Sequence, residues 1–471
     1  MYRVIVAVIN LEGRADLESF DLIVVGAGTA GCTAARFAAS AGLKVCLIDL
    51  KDRRSIGDKV CGDAIGKHHF DELGLPYPRG DELERRIEGI EIYSPDLKTV
   101  FKVKGEGIYG FMINRHLFGQ RLLKYAEDSG AELRDSTRAL KPIIEGGWVR
   151  GVIAKDMKEG GKAKLQGRVV IDATGFSATI RSQLPPEMGI ETEISREDVI
   201  VCYREIRELR EEMDRPGYCR IYLNLKAAPG GYYWIFPEGG RKVNVGLGVA
   251  LWDGHPNPKS QLYGNVLSSP LFEGSSIIHL GGGYVPTRRP LDSMVGNGII
   301  LIGDAACQVN PIHGGGMGPS MIGGRIAAET VVEALTGGDG VPSRESLWPV
   351  NVKYMRSYGA KQAGLDVFRM FLQHLSDDDL NYGMGYRLIT EEDLLKVSMG
   401  GDLRLNLTEK TRRVFRGLGK LSLLRKLYHA ASLLGKAKRI YYNYPSTPDD
   451  FPRWKTEVEE LYSRARSLFK K

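Results

Sequence analysis

The alternation of apolar and polar positions divides the chain into an ordered series of elements. Asp21–Val25 (DLIVV) is a short apolar run, followed by a Gly-rich turn and a helical pattern over Ala30–Ala41. Val45–Asp49 (VCLID) is a second apolar run that ends in an acid. Short apolar runs bounded by turn signals read as buried strands, and a longer 3.6-period segment reads as the helix joining them. Together they predict a βαβ unit. Phe101–Lys104 and Gly110–Ile113 read as strands near an outlying sheet. Arg115–Ser129 reads as an amphipathic helix, with Leu117, Phe118, Leu122, Leu123 and Tyr125 on or near one face. Trp148–Ala154 and Lys164–Asp172 read as a hairpin ending in a strand. From about Asp198 to Ile278 the pattern changes to successive alternating strands (VIVCYREI, YCRIYLNL, YYWIFP, KVNVGLGVAL). These predict an antiparallel sheet that walls a substrate cavity. The apolar run Gly298–Ile302 returns to the first fold, Gly314–Leu335 follows as a long helix, and the remainder is mostly helical.

Composition adds bounds. A chain of 471 residues with 43% hydrophobic and 26% charged residues is ordinary globular material, sized for about two or three domains. The six cysteines include no CxxC pair and no Cys/His cluster with metal-ligand spacing, which fits a reducing compartment. Val4–Ile9 is shorter than a secretory apolar core of about 7–15 residues, and no stretch approaches the roughly 20 apolar residues of a membrane span. Net charge is +7, and it is concentrated. Lys410–Arg439 holds ten Lys/Arg (Lys410, Arg412, Arg413, Arg416, Lys420, Arg425, Lys426, Lys436, Lys438, Arg439) and no Asp or Glu.

Candidate chemistry starts at Gly26-Ala27-Gly28-Thr29-Ala30-Gly31, placed after a strand and opening a helix. Gly26 permits the tight turn, Gly28 lets backbone approach a pyrophosphate, and Gly31 lets helix pack on strand. Thr29 and Ala30 belong to the helix N-terminus, where free N–H groups favour an anion. Asp49 lies 18 residues beyond Gly31, close to the spacing of about 20 at which an acid binds the ribose hydroxyls. That fingerprint does not separate NAD from FAD. Two further segments bear on the choice. Ile171-Asp172-Ala173-Thr174-Gly175 is an apolar strand ending in ATG, followed by Ser177 and Arg181. Ile300–Ala305 (ILIGDA) is another strand ending in an acid, Asp304, followed by Pro311 and Gly314-Gly315-Gly316-Met317.

With these segments the sequence resembles the flavoprotein superfamily of para-hydroxybenzoate hydroxylase and the geranylgeranyl reductases. The resemblance implies FAD, with Asp304 on the ribityl chain and Gly315, Gly316 and Met317 lining the flavin. It also implies Arg115 near the cofactor phosphates, a place suited to a planar bidentate cation, and Ala139 beside the adenine. Two motifs point to the geranylgeranyl reductase branch. Lys59-Val60-Cys61-Gly62-Asp63-Ala64 matches a KxCG loop beside the isoalloxazine, which places Lys59, Cys61, Gly62 and Ala64 near the ring. Tyr232-Tyr233-Trp234-Ile235-Phe236-Pro237 and the later Gly246-Leu247-Gly248 resemble a YxWxFP…GxG signature, with Tyr232, Trp234, Phe236, Pro237, Gly246 and Gly248 as the matching positions.

The architecture expected is α/β: a Rossmann-like FAD-binding domain, an inserted antiparallel β-sheet substrate domain and a helical C-terminal region. The FAD-binding parts are 20–95, 114–190 and 285–340, and the sheet domain is 96–113 and 191–284. Residues 1–19 form an N-terminal extension and 341–471 the helical basic region. The implied reaction saturates C=C bonds of geranylgeranyl chains, most directly those of isoprenoid ether phospholipids. A polyprenyl lipid needs an apolar channel, and Tyr232, Trp234 and Phe236 alternate so as to face one side. Cys61 is the candidate catalytic side chain; donating a proton, gating the flavin and simple packing all remain open for it. His68, His69 and His313 are weaker acid candidates. No second GxGxxG is present, so NAD(P)H docking transiently or a small redox carrier such as ferredoxin supplies electrons. The basic segment interleaves its charges with Leu421, Leu423, Leu424, Leu427, Tyr428, Leu433 and Leu434, a pattern read as peripheral membrane contact in a cytoplasmic protein. No nucleic-acid motif accompanies it. The competing readings are a flavin-dependent aromatic hydroxylase or halogenase of the same fold, and a non-catalytic FAD protein binding lipid or RNA.

Overall fold

In the computed structural model, which describes residues 18–337, 339–401 and 418–469, two large sheets are separated by the chain's crossovers. The first is a mixed eight-stranded sheet. Its parallel core runs Ile299–Leu301, Lys162–Asp172, Ser19–Val25, Val45–Ile48 and Glu132–Arg134. Strands covered on both faces must be apolar throughout, and Leu22–Val25 and Val45–Ile48 are buried at every position. Val25, Ile48, Asp172 and Leu301 stand in register, so the strands end together and the segments after them form one rim. That rim is where doubly wound sheets bind ligands. The hairpin of Trp148–Asp156 with Lys162–Asp172 is present, extended by Thr137–Glu145. The helix Thr29–Ser40 crosses Met317–Thr336 closely enough that a Cβ on Gly324 would meet Ala30 O at 2.5 Å.

The second sheet has seven strands in the order Ser276–Pro286, Val199–Glu208, Lys242–Ala250, Tyr232–Pro237, Tyr218–Tyr222, Gly89–Tyr93 and Val100–Val103. All neighbours are antiparallel except Tyr218–Tyr222 with Gly89–Tyr93. One face carries the row Tyr232, Trp234 and Phe236. The other buries Val243, Val245, Leu247 and Val249 beneath Pro258–Asn265. Two local expectations change. Gly110–Ile113 does not join this sheet but pairs with Ala64–Gly66 and Leu83–Ile87 in a three-stranded sheet. The strand Gly89–Tyr93, within a span expected in the nucleotide domain, pairs with Tyr218–Tyr222 instead. Its charged neighbours (LERRI before it) mask the alternation. The edge strand Ser276–Pro286 runs well past Ile278, hidden in the sequence by Gly281–Gly283. A Cβ at Gly281 would lie 2.4 Å from Val60, so close approach of the 59–63 loop requires glycine there.

Among the described residues after 340 the secondary structure is all helical. Ala360–Gln373 packs on Leu421–Tyr442, and Phe451–Phe469 closes the bundle. Large rings fill it with their polar tips satisfied: Trp348 donates to Pro445 O (2.9 Å), Tyr444 to Asp292 O (2.7 Å) and Tyr462 to Ala363 O (2.8 Å). The basic stretch reads differently in three dimensions. Lys410, Arg412, Arg413 and Arg416 lie outside the described residues. On Leu421–Tyr442 the residues Leu423, Leu427, Leu433 and Leu434 are buried against the protein itself, so the leucine row does not form an outward apolar face. The outward stripe is Leu421, Arg425, Tyr428, Lys436, Arg439 and Tyr442. Among the described residues no helix is long and apolar enough to cross a membrane. All six cysteines are free thiols.

Candidate active site

The nucleotide side is built by glycines that admit close backbone contacts. Gly26 has φ +104°, and a Cβ there would lie 2.4 Å from Ala173 O. A Cβ on Gly31 would lie 1.8 Å from Gly26 O, so strand, turn and helix meet only without side chains. Gly28 caps the helix, and nothing stands within 4 Å of its missing Cβ. Backbone N–H groups therefore face open space at a positive helix end. Thr29 Oγ1 lies 3.0 Å from Ser320 Oγ, and Ala30 is buried between the two helices. Asp49 accepts from Ala27 N (2.6 Å) and Lys51 N (2.8 Å). Thr137 N donates to Asp49 O (2.7 Å), so Ala139, buried on Thr137–Glu145, belongs to the same corner.

Arg115 opens the helix Arg115–Asp128 behind its Asn114 cap. It is 7% exposed, yet Nε and Nη1 have no partner. A buried guanidinium with free donors calls for an anion. Asp172 ties down the ATG turn by accepting from Thr174 N, Ile180 N and Arg181 N, and Arg181 in turn donates to Ala305 O (2.9 Å). Asp304 sits between Gly175 and Gly316 and pairs with Lys59 Nζ at 2.9 Å. Gly315 N donates to His313 Nδ1 (3.1 Å), Gly316 caps the helix, and Met317 begins it. Open space before Gly28, free donors on Arg115 and acids at both strand ends fit FAD laid along this rim.

An aromatic row of the second sheet meets that rim. Tyr232, Trp234 and Phe236 stand on one face of a strand with ring centroids 6.0 and 6.2 Å apart. Tyr232 donates to His313 O (2.7 Å), and Trp234 Nε1 to Asn244 Oδ1 (2.9 Å). Their partners are shaped by absence. A Cβ on Gly246 would strike the Trp234 ring and Arg204 Cβ, both at 2.5 Å, and one on Gly248 would reach Ile200 Cγ2 at 2.6 Å and Cys202 Sγ at 3.1 Å. Pro237 ends the strand. Gly62 lies against Phe236, its missing Cβ 3.3 Å from the ring, while Ala64 begins the small sheet. The Cys61 thiol is held protonated: burial pushes it up, the Asp63 charge adds to this, and Arg115 only partly offsets them.

Three residues at this site escape a linear reading. Asn244 Nδ2 donates to Asp63 Oδ2 (2.8 Å) and Cys61 O (3.0 Å), and Arg204 Nε also donates to Cys61 O (3.0 Å). Arg204 Nη2 is 3.6 Å from Asp63 Oδ2. The available signal was a charged residue on the inward face of an apolar strand, since Arg204 is two positions from Cys202. The histidines divide. His69 is buried against Gly318, and its ring centroid is 3.9 Å from that of His68. Burial, with His68, Lys361 and His313 nearby, holds His69 well below the usual histidine range. The His313 ring is open to solvent, yet the protein packed around it also pushes its pKa down, and its Nδ1 accepts the bond from Gly315. Both are neutral at pH 7.

The sequence matches the FAD dependent oxidoreductase model over residues 21–202 and the geranylgeranyl reductase catalytic domain over residues 198–285. It is 46% identical to the digeranylgeranylglycerophospholipid reductase of Sulfolobus acidocaldarius over 94% of this chain and 97% of the relative. The chain belongs to the geranylgeranyl reductase family. The reductase is a flavin-dependent oxidoreductase with FAD as its cofactor. It is also 34% identical to the enzyme of the same description from Methanothrix thermoacetophila, over 82% of this chain and 95% of that one. Among solved structures, a geranylgeranyl bacteriochlorophyll reductase-like protein of Thermoplasma acidophilum superposes with a TM-score of 0.74 at 25% identity, covering 88% of this reductase and 99% of that chain. A myxobacterial chondrochloren halogenase (TM-score 0.60, 19% identity, 96% and 97% covered) shares the fold alone.

Proposed function

We infer that this reductase saturates C=C bonds of geranylgeranyl chains carried by isoprenoid ether phospholipids. The observation that carries this reading is the row of Tyr232, Trp234 and Phe236 set against Cys61 and Gly62. An isolated alkene has no polar handle, so the wall must orient it by shape and keep water out. Reduced FAD supplies the hydride. Gly26, Gly28, Thr29, Ala30, Gly31 and Arg115 would hold its diphosphate, Asp49 its ribose, Ala139 its adenine and Asp304 its ribityl chain. Lys59, Gly62, Ala64, Gly315, Gly316 and Met317 would line the ring. Gly246 and Gly248 make room for the aromatic wall that Pro237 ends, and Cys61 offers its proton to the second alkene carbon. Anaerobic incubation of dithionite-reduced enzyme with geranylgeranyl lipid, followed by mass spectrometry, tests this. Each saturated bond adds two hydrogens; an unchanged lipid mass with flavin correctly bound rejects the reading.

Electrons enter from NAD(P)H or from a small carrier such as ferredoxin, and anaerobic bleaching of the flavin by each donor discriminates between them. Membrane contact is assigned to the outward stripe Leu421, Arg425, Tyr428, Lys436, Arg439 and Tyr442. Basic residues near anionic lipid contribute about 1 kcal/mol each, and tyrosines suit the interface. Co-sedimentation with anionic but not neutral vesicles, lost at high salt, is the expected result.

A further inference from the structure

Alkene saturation consumes a proton as well as a hydride, and the Cys61 thiol lies against a buried acid fastened to the opposite sheet. We propose that Asp63 is the proton relay behind Cys61, with Asn244 and Arg204 as positioning residues that aim the pair at the substrate. The inference rests on alkene reduction as the reaction.

Four observations support it. First, Cys61 and Asp63 flank Gly62, and each shifts the other's ionisation. Second, Asp63 is 2% exposed, accepts from Asn244 Nδ2 at 2.8 Å, and leaves Oδ1 buried without a partner. An ionised carboxylate with a dry, empty oxygen is costly, whereas a carboxylic acid is less so. Third, Asp63 has φ +57°, a left-handed backbone that a non-glycine residue keeps only when its surroundings impose it. Ile113 N, donating to Asp63 O at 3.0 Å, and Asn244 impose it here. Fourth, Asn244 also receives Trp234 Nε1, so the aromatic wall, the acid and the Cys61 carbonyl form one hydrogen-bonded unit. A chain packed on Trp234 is thereby registered against the thiol.

The charged and titratable groups around Asp63 are Arg204, Arg115, Glu238 and the thiol itself, with Lys59 beside Cys61 and His279 on Arg204 Nη1. Burial dominates, and Arg204 and Arg115 only partly offset it, so the carboxyl is pushed up to about 6. In the relay, hydride adds to one alkene carbon while the Cys61 S–H bond breaks and its proton forms the second C–H bond. The Asp63 O–H proton then moves to the thiolate, and the carboxylate left behind takes a proton from solvent. Both electrons come with the hydride from reduced flavin, so the Cys61–Asp63 pair is neither oxidised nor reduced.

The test uses FAD-loaded wild type, Asp63→Asn and Asn244→Ala. One readout is independent of turnover: iodoacetamide labelling of Cys61, followed by mass spectrometry across pH. Asp63→Asn removes the neighbouring negative charge, so the labelling midpoint falls by about one pH unit. The other readout is single-turnover reduction of geranylgeranyl lipid by dithionite-reduced enzyme. Asp63→Asn slows it about tenfold or more and abolishes an inflection that wild type shows near 6. Asn244→Ala removes a donor that favours the carboxylate, so its inflection moves to higher pH, which keeps the test decisive if Asp63→Asn does not fold. Unchanged labelling and an unchanged inflection in the folded variants overturn the relay. Wild type that leaves the lipid unreduced at every pH overturns the function instead, and the labelling curves still decide whether Asp63 governs the thiol.

Discussion

At the junction between the second sheet and the C-terminal helices, Arg369 Nη2 stands 2.7 Å from both Asp198 and Asp366, and Arg288 pairs with Glu191 at 3.1 Å. Beside Cys61 the same residue types meet loosely, with Arg204 3.6 Å from Asp63; each cluster leaves one carboxyl oxygen unclaimed, on Asp366 and on Asp63. Both clusters are buried, so burial drives every carboxyl toward its neutral form. At the junction Arg369, Arg288 and Arg289 overcome burial and hold Asp198 and Glu191 below the ordinary carboxylate range. At the site Arg204 and Arg115 do not, and Asp63 rises to about 6. The difference lies in how close the guanidinium stands, since charge-assisted bonds at 2.7 Å hold an ionised form and a contact at 3.6 Å does not. A tightly paired cluster fastens elements together; a loosely paired one keeps a proton available.

The contrast breaks most visibly at Arg369. Arg369→Ala strands Asp198 and Asp366 without compensation and should destabilise by about 3–5 kcal/mol. The check is the midpoint of thermal unfolding, and a change below about 1 kcal/mol would make the junction no tighter than a surface pair. Arg115→Met should do the reverse. Because its Nε and Nη1 bond nothing in the protein, apoprotein stability should hold or improve. The FAD dissociation constant should rise about 10- to 100-fold through loss of charge-assisted bonds, as read by flavin fluorescence.

Asp63→Asn sharpens the comparison through pH. An acid whose pKa is raised on folding is bound to its proton more tightly in the native state. Wild type therefore loses stability as pH rises from about 3.9 to about 6. At pH 7.5 the Asn variant should be more stable by about 1–2 kcal/mol, with the gap closing near pH 4. Asp198 and Glu191 act with the opposite sign, since their contribution is present at neutral pH and lost on acidification. Unfolding midpoints across pH would show the two trends separately. Lys59→Ala should matter least. Its side chain is 57% exposed beside Asp304, and loss of such a pair changes stability by about 0–1 kcal/mol, vanishing in high salt.

Local signals were legible in the sequence wherever the residues concerned are neighbours along the chain. The Gly26–Gly31 turn, the strand ending at Asp172 and the alternation of Tyr232, Trp234 and Phe236 all follow from spacing. What required three dimensions was convergence. Nothing in the order of residues joins Asp63 to Arg204 and Asn244, which lie on a loop and two adjacent strands. The leucines of Leu421–Tyr442 teach a similar lesson, because helical periodicity shows that a face is apolar but not whether protein or lipid covers it. Here Ala360–Gln373 covers it.

The position of Ser19–Val25 at the middle of the first sheet has a consequence for biosynthesis. The strand leaves the ribosome before its neighbours and finds Val45–Ile48 soon afterwards, but its other neighbour, Lys162–Asp172, emerges much later. Until then a strand that is apolar over Leu22–Val25 has one side unpaired, the kind of exposed edge that invites aggregation in a nascent chain. Chaperone dependence should therefore be greatest while the chain between Ile48 and Asp172 is being translated.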